Sequence, residues 1–246
     1  MEKKDHRGYH PIRSVFQAIS LYDELHIERA PELSFECNDP NVPEDNTVVR
    51  AARLMMEVAD FPPVAIRLVK RIPSEAGLGG GSSDAAGVIR AAKSLMSSAL
   101  PDYEKKAIAK SIGADVSFFL LGGRARAEGY GEKLTSIPSP NPVEWYLVAQ
   151  PSDRCSTKDA YDRLDTIDYE WQEFPEGNIL YNDFERVAPR GSLDLIERLL
   201  ALGAKDAGLT GSGSAVFGRF DNEPSALQAS RLLENEAPFV RVAHSL

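Results

Sequence analysis

The spacing of apolar residues along the chain predicts a mixture of α-helices and β-strands. Alternating apolar and polar positions indicate strands, whereas apolar positions three and four residues apart indicate helices that bury one face. The predicted strands cover residues 14–28 (one strand or a pair), 64–72, 124–130, 143–149, 214–220 and 239–243. The predicted helices cover residues 48–58, 82 or 83 to about 98, 103–112, 192–202 and 225–234. This mixture predicts an α+β fold.

The segment from residue 150 to about residue 189 is the least periodic part of the chain. It is rich in Pro, Asp and Tyr, and no helical or strand spacing stands out in it. We interpret it as the connection between two halves. The prediction is therefore an N-terminal domain over residues 1–150, a C-terminal domain over residues 151–246, and an active site in the cleft between them.

Composition and charge narrow the class of protein. The chain has 246 residues, of which 43% are hydrophobic and 26% charged, as in a globular protein of one large or two small domains. No run of about 18 apolar residues and no apolar stretch behind the first residues occurs, which predicts a cytoplasmic protein without a membrane partner. The net charge of −9 argues against nucleic-acid binding. It leaves room for a small phosphorylated ligand held by backbone amides.

The two cysteines predict neither a disulfide framework nor a metal site. Cys37 and Cys155 have no Cys or His neighbour at the spacing of metal ligands. We interpret both as buried or unreactive thiols.

The strongest chemical feature is a glycine-rich segment between a predicted strand and the most amphipathic predicted helix. Four of the five residues over positions 77–81 are glycine. Glycine lets the main chain approach a ligand closely, and the start of the following helix offers free N–H groups and a positive dipole end. The segment therefore predicts a phosphate-binding loop, with a tight turn without ligand as the alternative. It lacks the lysine of a Walker loop and the glycine spacing of a dinucleotide-binding loop.

Several segments resemble one family of enzymes. Pro73–Ala86 resembles the Pro-x-x-x-Gly-Leu-Gly…Ser-Ser nucleotide loop of the GHMP small-molecule kinases, and its longer Gly-Leu-Gly-Gly-Gly-Ser-Ser-Asp-Ala-Ala form is similar to that of the isoprenoid-precursor branch. Gly8-Tyr9-His10, Ile112–Phe119 and Leu209–Ser214 resemble three further motifs in the same order. The resemblance implies a two-domain GHMP kinase fold. It also implies ATP-dependent phosphorylation of a hydroxyl of a diphosphocytidyl methylerythritol, with Mg²⁺ arriving together with the nucleotide.

The resemblance implies a role for each motif. The nucleotide-binding residues would be Pro73, Gly77, Leu78, Gly79, Gly80, Gly81, Ser82, Ser83 and Asp84, and the sequence does not decide whether Ser82 or Ser83 meets phosphate or Mg²⁺. Asp115 would be the catalytic aspartate. From its neighbours alone, it is a lone carboxylate between small and apolar residues, which suits an acid held near reacting groups. The alternative is a surface aspartate at the end of a helix.

The substrate residues also follow from the resemblance. Tyr9 would stack on the cytosine, His10 would hydrogen-bond to its edge, and Tyr161, four residues after Thr157, would cover its other face. Without the resemblance, the Tyr-His pair suits a core or surface position equally well. The second glycine turn would lie near the substrate phosphates and support the first loop, or form only a hairpin turn; its residues are Thr210, Gly211, Ser212 and Gly213.

The sequence departs from the family pattern at its start. The family begins with a Pro-Ala-Lys-Ile-Asn-Leu strand, whereas this chain starts in the stretch that follows it, so we expect the first strand and its lysine to be missing. Arg7 also replaces an acid, and Ser117 replaces a proline. The main hypothesis is an active kinase. The alternatives are another GHMP kinase, acting on a sugar, homoserine or mevalonate, and a nucleotide-binding relative without catalysis.

Overall fold

The computed structural model describes residues 1–168 and 180–246, and these ranges contain seven α-helices, one 3₁₀ helix and ten strands. Strands β1 to β10 are Ile12–Gln17, Glu24–Arg29, Ser34–Cys37, Val64–Val69, Arg124–Gly129, Lys133–Ile137, Trp145–Gln150, Asp206–Leu209, Val216–Phe220 and Phe239–His244. Helices α1 to α7 are Thr47–Val58, Gly80–Leu95, Asp102–Ile112, Val116–Leu121, Thr157–Leu164, Arg190–Ala201 and Glu223–Leu233, and the 3₁₀ helix is Asp183–Val187. The α+β prediction is confirmed.

The first core lies between a small sheet and the helices of the N-terminal half. In the order β2-β4-β3, strand β4 pairs antiparallel with β2 and parallel with β3. Helix α1 places buried residues three and four positions apart, and α2 does the same, so each helix buries one face in this core. Helix α2 packs on β2, and α1 packs on α2 and α3. The largest fully buried side chains of this core are Met55, Leu68, Ile89, Val48, Val64, Val88 and Val116.

A second sheet connects the two halves. Its order is β1-β5-β6, with antiparallel pairs throughout and β1 at one edge. Beyond β1, Ile19 forms a bridge with Ser245, and the backbone of Leu246 donates to Ala18. The last residues of the chain thus lie against the N-terminal half.

The second core belongs to a four-stranded antiparallel sheet in the order β10-β7-β9-β8. It packs against α5, α6 and α7 and buries Leu147, Leu164, Leu199 and Leu233. Strand β7 therefore belongs to the C-terminal sheet, although it precedes residue 151. The predicted domain limits stay a prediction.

Most long elements agree with the apolar spacing, and the differences have local causes. The helix predicted from Ser82 or Ser83 begins at Gly80, inside the glycine run. The predicted strand pair at residues 14–28 is two strands, but they lie in different sheets. The aperiodic segment 150–189 contains α5 and the 3₁₀ helix, each too short for a clear period, while residues 169–179 of it lie outside the described part. No helix in the described ranges has the length and apolar character needed to cross a bilayer.

Candidate active site

The glycine-rich loop connects β4 to α2 and takes a shape that only glycine tolerates. Gly77 and Gly79 have φ angles of +70° and +68°, in the left-handed region where a side chain is strained. A Cβ at Gly77 would lie 2.2 Å from the carbonyl oxygen of Thr210, and one at Gly79 would lie 2.7 Å from the ring of Phe119. The loop is therefore packed main chain to main chain on one side and against an aromatic ring on the other.

The start of α2 presents unused donors. Its first helical hydrogen bond runs from the N–H of Ser83 to the oxygen of Gly79, so the N–H groups of Gly80, Gly81 and Ser82 have no helical acceptor. The Ser83 hydroxyl donates back to the Gly80 carbonyl at 2.8 Å. The Ser82 hydroxyl makes no hydrogen bond within the described part of the chain. Three amides, one hydroxyl and a positive dipole end form a site suited to phosphate oxygens.

Asp84, predicted to bind the nucleotide, lies inside an ion cluster. Its side chain is buried, and its Oδ2 lies 3.0 Å from the Nζ of Lys70, which lies 2.5 Å from the Oδ2 of Asp23. Burial, helped by the charge of Asp23, raises the pKa of Asp84 to about 7, while Lys70 acts in the opposite direction. Asp84 is thus held by Lys70, the residue that follows β4.

The second glycine turn lies directly against the loop. The hydroxyl of Thr210 donates to the carbonyl of Gly77 at 3.0 Å, and the N–H of Ala215 donates to Ala76 at 3.1 Å. A Cβ at Gly211 would lie 2.9 Å from the Gly77 oxygen. Two turns that are far apart in sequence therefore form one surface. Leu78 and Pro73 lie in the same loop, half-buried.

Thr157 reaches the second turn from another element. Thr157 is the first residue of α5, whose N-cap is Ser156. Its Oγ1 lies 3.0 Å from the Oγ of Ser212 in the second turn. Gly213 and Ser212 are buried, whereas Thr157 and Gly211 are exposed. The predicted residues Thr157, Thr210, Gly211, Ser212 and Gly213 therefore lie together.

Asp115 stands at the start of α4, and α4 connects it to the phosphate loop. One turn further along α4, Phe119 packs against Gly79, and its carbonyl accepts a hydrogen bond from Arg90 on α2. The Asp115 carboxyl group is open to solvent, yet protein atoms crowd it on several sides, and this desolvation raises its pKa. A raised pKa favours proton uptake from a reacting hydroxyl.

The aromatic residues of the site form two separate contacts. Tyr161 on α5 stacks with His10, with ring centroids 5.6 Å apart and planes at 17°, and meets Phe184 edge-on at 4.9 Å. Burial and then the charge of Asp115 raise the pKa of Tyr161. Tyr161 therefore contacts His10 directly and lies close enough to Asp115 to respond to its charge.

Tyr9 directly precedes His10 and is 66% exposed. Its ring packs edge-on against Tyr130 at 5.9 Å, and the guanidinium of Arg7 lies 4.7 Å from the centre of the Tyr130 ring. A cavity of about 480 Å³ opens here, lined by Arg7, Tyr130 and Ala114, the neighbour of Asp115. Tyr9 and Tyr161, the two rings predicted to enclose a base, therefore contact different partners, and no ring contact between them is present among the described residues.

The ring nitrogens of His10 both have oxygen neighbours. Nδ1 lies 2.9 Å from the carbonyl of Glu2, and Nε2 lies 2.8 Å from the Oδ1 of Asp165. A hydrogen bond from His10 to a base edge would require the exchange of one of these contacts.

Sequence reasoning missed the residues that hold the two turns in place. The Asn182 amide donates to the carbonyls of Leu209 and Gly211 at 2.9 and 2.8 Å. The buried amide of Gln150 donates to the Ser214 hydroxyl at 3.1 Å. Their partners lie 27 or more residues away, so no local spacing could have found them.

Comparison with known families places this site in a class. The models of the GHMP kinases N terminal domain and of the GHMP kinases C terminal match residues 46–123 and 183–237. The first range contains the phosphate loop and Asp115, and the second contains the turn at Thr210–Gly213. The fold is that of a GHMP kinase.

Individual relatives define the branch of this class. The 4-diphosphocytidyl-2-C-methyl-D-erythritol kinase of Pelobacter propionicus is 38% identical over 97% of this chain and 91% of its own length. That of Acetivibrio thermocellus is 39% identical over 93% of this chain and 88% of its own. A crystal structure of 4-(cytidine 5'-diphospho)-2C-methyl-D-erythritol kinase superposes with a TM-score of 0.85 at 32% identity, covering 99% of this chain and 93% of that one. This chain belongs to the 4-diphosphocytidyl-2-C-methyl-D-erythritol kinase family.

Proposed function

We propose that this chain transfers the γ-phosphoryl group of ATP to a hydroxyl of 4-diphosphocytidyl-2-C-methyl-D-erythritol, a step of isoprenoid precursor synthesis. One observation carries the proposal. A single short helix, α4, has Asp115 as its N-cap and packs its Phe119 on Gly79 of the predicted phosphate loop. The proton acceptor and the phosphate site are thereby held at a fixed separation, which phosphoryl transfer requires. The names of the relatives support the choice of substrate.

The phosphates of ATP would bind at the start of α2. The free amides of Gly80, Gly81 and Ser82 suit phosphate oxygens, and the Ser82 hydroxyl is the one of the two serines left without a partner among the described residues. We therefore assign phosphate or Mg²⁺ contact to Ser82 and not to Ser83. A hydroxyl oxygen is a donor that Mg²⁺ accepts, and Mg²⁺ bound with ATP would neutralise charge on the phosphates.

Asp115 would take the proton of the attacking hydroxyl. The hydroxyl oxygen forms a bond to the γ-phosphorus, the bond from that phosphorus to the bridging oxygen of ADP breaks, and the hydroxyl proton passes to the Asp115 carboxylate. The raised pKa of Asp115 supports this role, because a carboxylate that is poorly solvated holds a proton more readily.

The cytidine group would bind at the aromatic end of the cleft. Tyr9 is exposed and free to stack on a base, and Tyr161 lies close enough to Asp115 for that charge to raise the pKa of Tyr161. His10 would contact the base edge after giving up one of its present partners. Thr157 and the turn from Thr210 to Gly213 would face the substrate phosphates, since they lie between Tyr161 and the phosphate loop.

The test is ADP release by the purified chain with Mg-ATP and a panel of acceptor alcohols. We expect release above background with diphosphocytidyl methylerythritol and none with homoserine or mevalonate. Release with one of the other alcohols alone would replace this substrate by that one. No release with any of them, from a folded chain that binds ATP, would favour a nucleotide-binding relative without catalysis.

Three further predictions from the sequence belong to this proposal. They are the division into domains at residues 150 and 151, the cytoplasmic location, and the lack of nucleic-acid and membrane partners.

A further inference from the structure

Three charged side chains are buried together where the phosphate loop begins and ends. Lys70, Asp23 and Asp84 expose only 7%, 2% and 4% of their side chains. The Nζ of Lys70 lies 2.5 Å from Asp23 and 3.0 Å from Asp84. The cluster thus holds two carboxyl groups and one ammonium group, away from solvent.

The cluster joins the two ends of the loop. Lys70 directly follows β4, and Asp84 lies in the second turn of α2. Their contact therefore joins the residue before the glycine-rich loop to the helix after it. A Cβ at Gly80, the first residue of α2, would lie 3.1 Å from the Nζ of Lys70. The ammonium group therefore packs directly under the start of the helix that presents the free amides.

The main chain entering the loop is fixed by the same cluster. The Oδ1 of Asp23 accepts hydrogen bonds from the N–H groups of Arg71 and Ile72 at 2.5 and 2.8 Å. Asn38 holds Lys70 itself, because its Oδ1 accepts from the Lys70 N–H at 2.6 Å. One carboxylate oxygen of Asp23 therefore holds the main chain that enters the loop, and the other holds the side chain of Lys70.

Burying charged groups costs free energy, and the cost depends on whether each charge lies next to a partner of opposite sign. Moving charges out of water carries a large desolvation penalty, and loss of one partner leaves another charge uncompensated. The ammonium group of Lys70 contacts both carboxyl groups and offsets their mutual repulsion, which acts on Asp84 by raising its pKa. Arg71 and Glu24, which follow Lys70 and Asp23 in the sequence, form a separate ion pair whose side chains are about half exposed.

We propose that Asp23, Lys70 and Asp84 are positioning residues that fix the phosphate loop for ATP without touching it. This inference rests on the proposed function, since it concerns how that kinase binds its nucleotide. It differs from a direct role of Asp84 in binding ATP or Mg²⁺. The ion cluster holds the two ends of the loop, and the turn at Thr210 holds its middle through Gly77.

The experiment compares Asp84→Ala with Asp84→Asn in the full chain. The asparagine still offers an oxygen to Lys70, whereas the alanine offers none. We expect the KM for ATP to rise at least tenfold in Asp84→Ala and no more than threefold in Asp84→Asn. The KM for the cytidine substrate should stay within twofold in both, which a general loss of stability would not achieve. Circular dichroism at the assay temperature checks that both are folded.

The matched control is Glu24→Ala, next to Asp23 on the sequence. It removes the exposed pair with Arg71 and leaves the buried cluster intact, so the KM for ATP should change less than twofold. A second measurement separates positioning from contact. At saturating ATP, the Mg²⁺ concentration for half-maximal rate should be the same in wild type and Asp84→Asn.

The outcomes are distinct. An unchanged KM for ATP in Asp84→Ala overturns the inference while the kinase function stands. A large shift in Mg²⁺ requirement in Asp84→Asn also overturns it and makes Asp84 a ligand. A wild-type chain that binds ATP in calorimetry but forms no ADP refutes the proposed function, and the dissociation constants of the same variants for ATP then decide the inference. A wild-type chain that binds no ATP refutes both.

Discussion

The proposed nucleotide end of the site and its proposed cytidine end are built from different kinds of group. At the nucleotide end, two glycine turns meet main chain to main chain, with Gly77 against Thr210, over a buried ion cluster. At the cytidine end, side chains form the surface, and Tyr9 is largely exposed. Phosphates are bound by main-chain dipoles that must be in place beforehand, whereas a flat base can be bound by aromatic side chains that rotate to meet it. Changes at the first end should therefore alter ATP binding and folding, and changes at the second should alter substrate binding alone.

The largest effect is expected between the two ends, at Asp115. Asp115→Asn keeps the size of the side chain but removes the proton acceptor, so kcat should fall by about 10²- to 10⁴-fold. Both KM values should change little, because neither binding surface is altered. Steady-state kinetics of the purified variant measure this. A kcat within threefold of wild type would remove Asp115 from the chemistry.

The next effect is at the nucleotide end, in Gly77→Ala. The new Cβ would meet the Thr210 oxygen at 2.2 Å on a backbone with φ of +70°, so the loop and the turn must separate. We expect an ATP dissociation constant at least 100-fold higher by calorimetry, with a backbone strain cost of about 1–3 kcal/mol.

Gly203→Ala is the matched control for that change. Gly203 has a φ of +94°, and a Cβ there would meet nothing within 4 Å. It should lose stability from the same backbone strain but bind ATP as wild type does. Equal ATP affinities in the two variants would contradict the proposed importance of the contact between the turns.

The third effect belongs to the cytidine end. Tyr9→Ala removes an exposed ring and should leave the fold intact. Loss of stacking on one base costs about 1–3 kcal/mol, so the KM for the cytidine substrate should rise about 5- to 150-fold while the KM for ATP stays constant. Tyr9→Phe keeps the ring and should stay within twofold. A rise in the KM for ATP in Tyr9→Ala would break the separation of the two ends.

The smallest effect is a slope of stability with pH. The folded chain holds the proton of Asp84 up to a pKa of about 7 because the carboxyl group is buried, whereas the unfolded chain releases it near the ordinary value for aspartate. Stability should therefore fall as the pH rises from about 4 to about 7, by at most about 1.4 kcal/mol per pH unit. Urea unfolding at several pH values measures this slope, and Asp84→Asn should reduce it. Identical slopes in both proteins would assign the pH dependence to other groups.

The sequence predicts the local chemistry of this site better than its assembly. The glycine spacing around Gly77 predicts a phosphate loop from local constraints alone, and the structure has Gly77 in the left-handed region that this spacing allows. The contact of that loop with Thr210 joins residues 133 positions apart, and nothing in either segment points to the other. The sequence also suggests nucleotide contact for Asp84, since it cannot show that Lys70 occupies its carboxyl group.

The same distinction holds for the fold. Alternating residues predict strands in segment 14–28, but β1 pairs with β5, more than one hundred residues later, and β2 with β4. Pairing is decided by which apolar faces meet, and a period of two carries no information about the partner. Helix α5 escapes detection because eight residues span hardly more than two turns.

The most direct test of the account follows the phosphoryl group itself by ³¹P NMR. The chain is incubated with Mg-ATP and diphosphocytidyl methylerythritol, with Asp115→Asn as the comparison. We expect a new phosphomonoester signal that grows in step with ADP in wild type and at least 100-fold more slowly in the variant. ADP without a phosphomonoester, or equal rates in the two proteins, would contradict it.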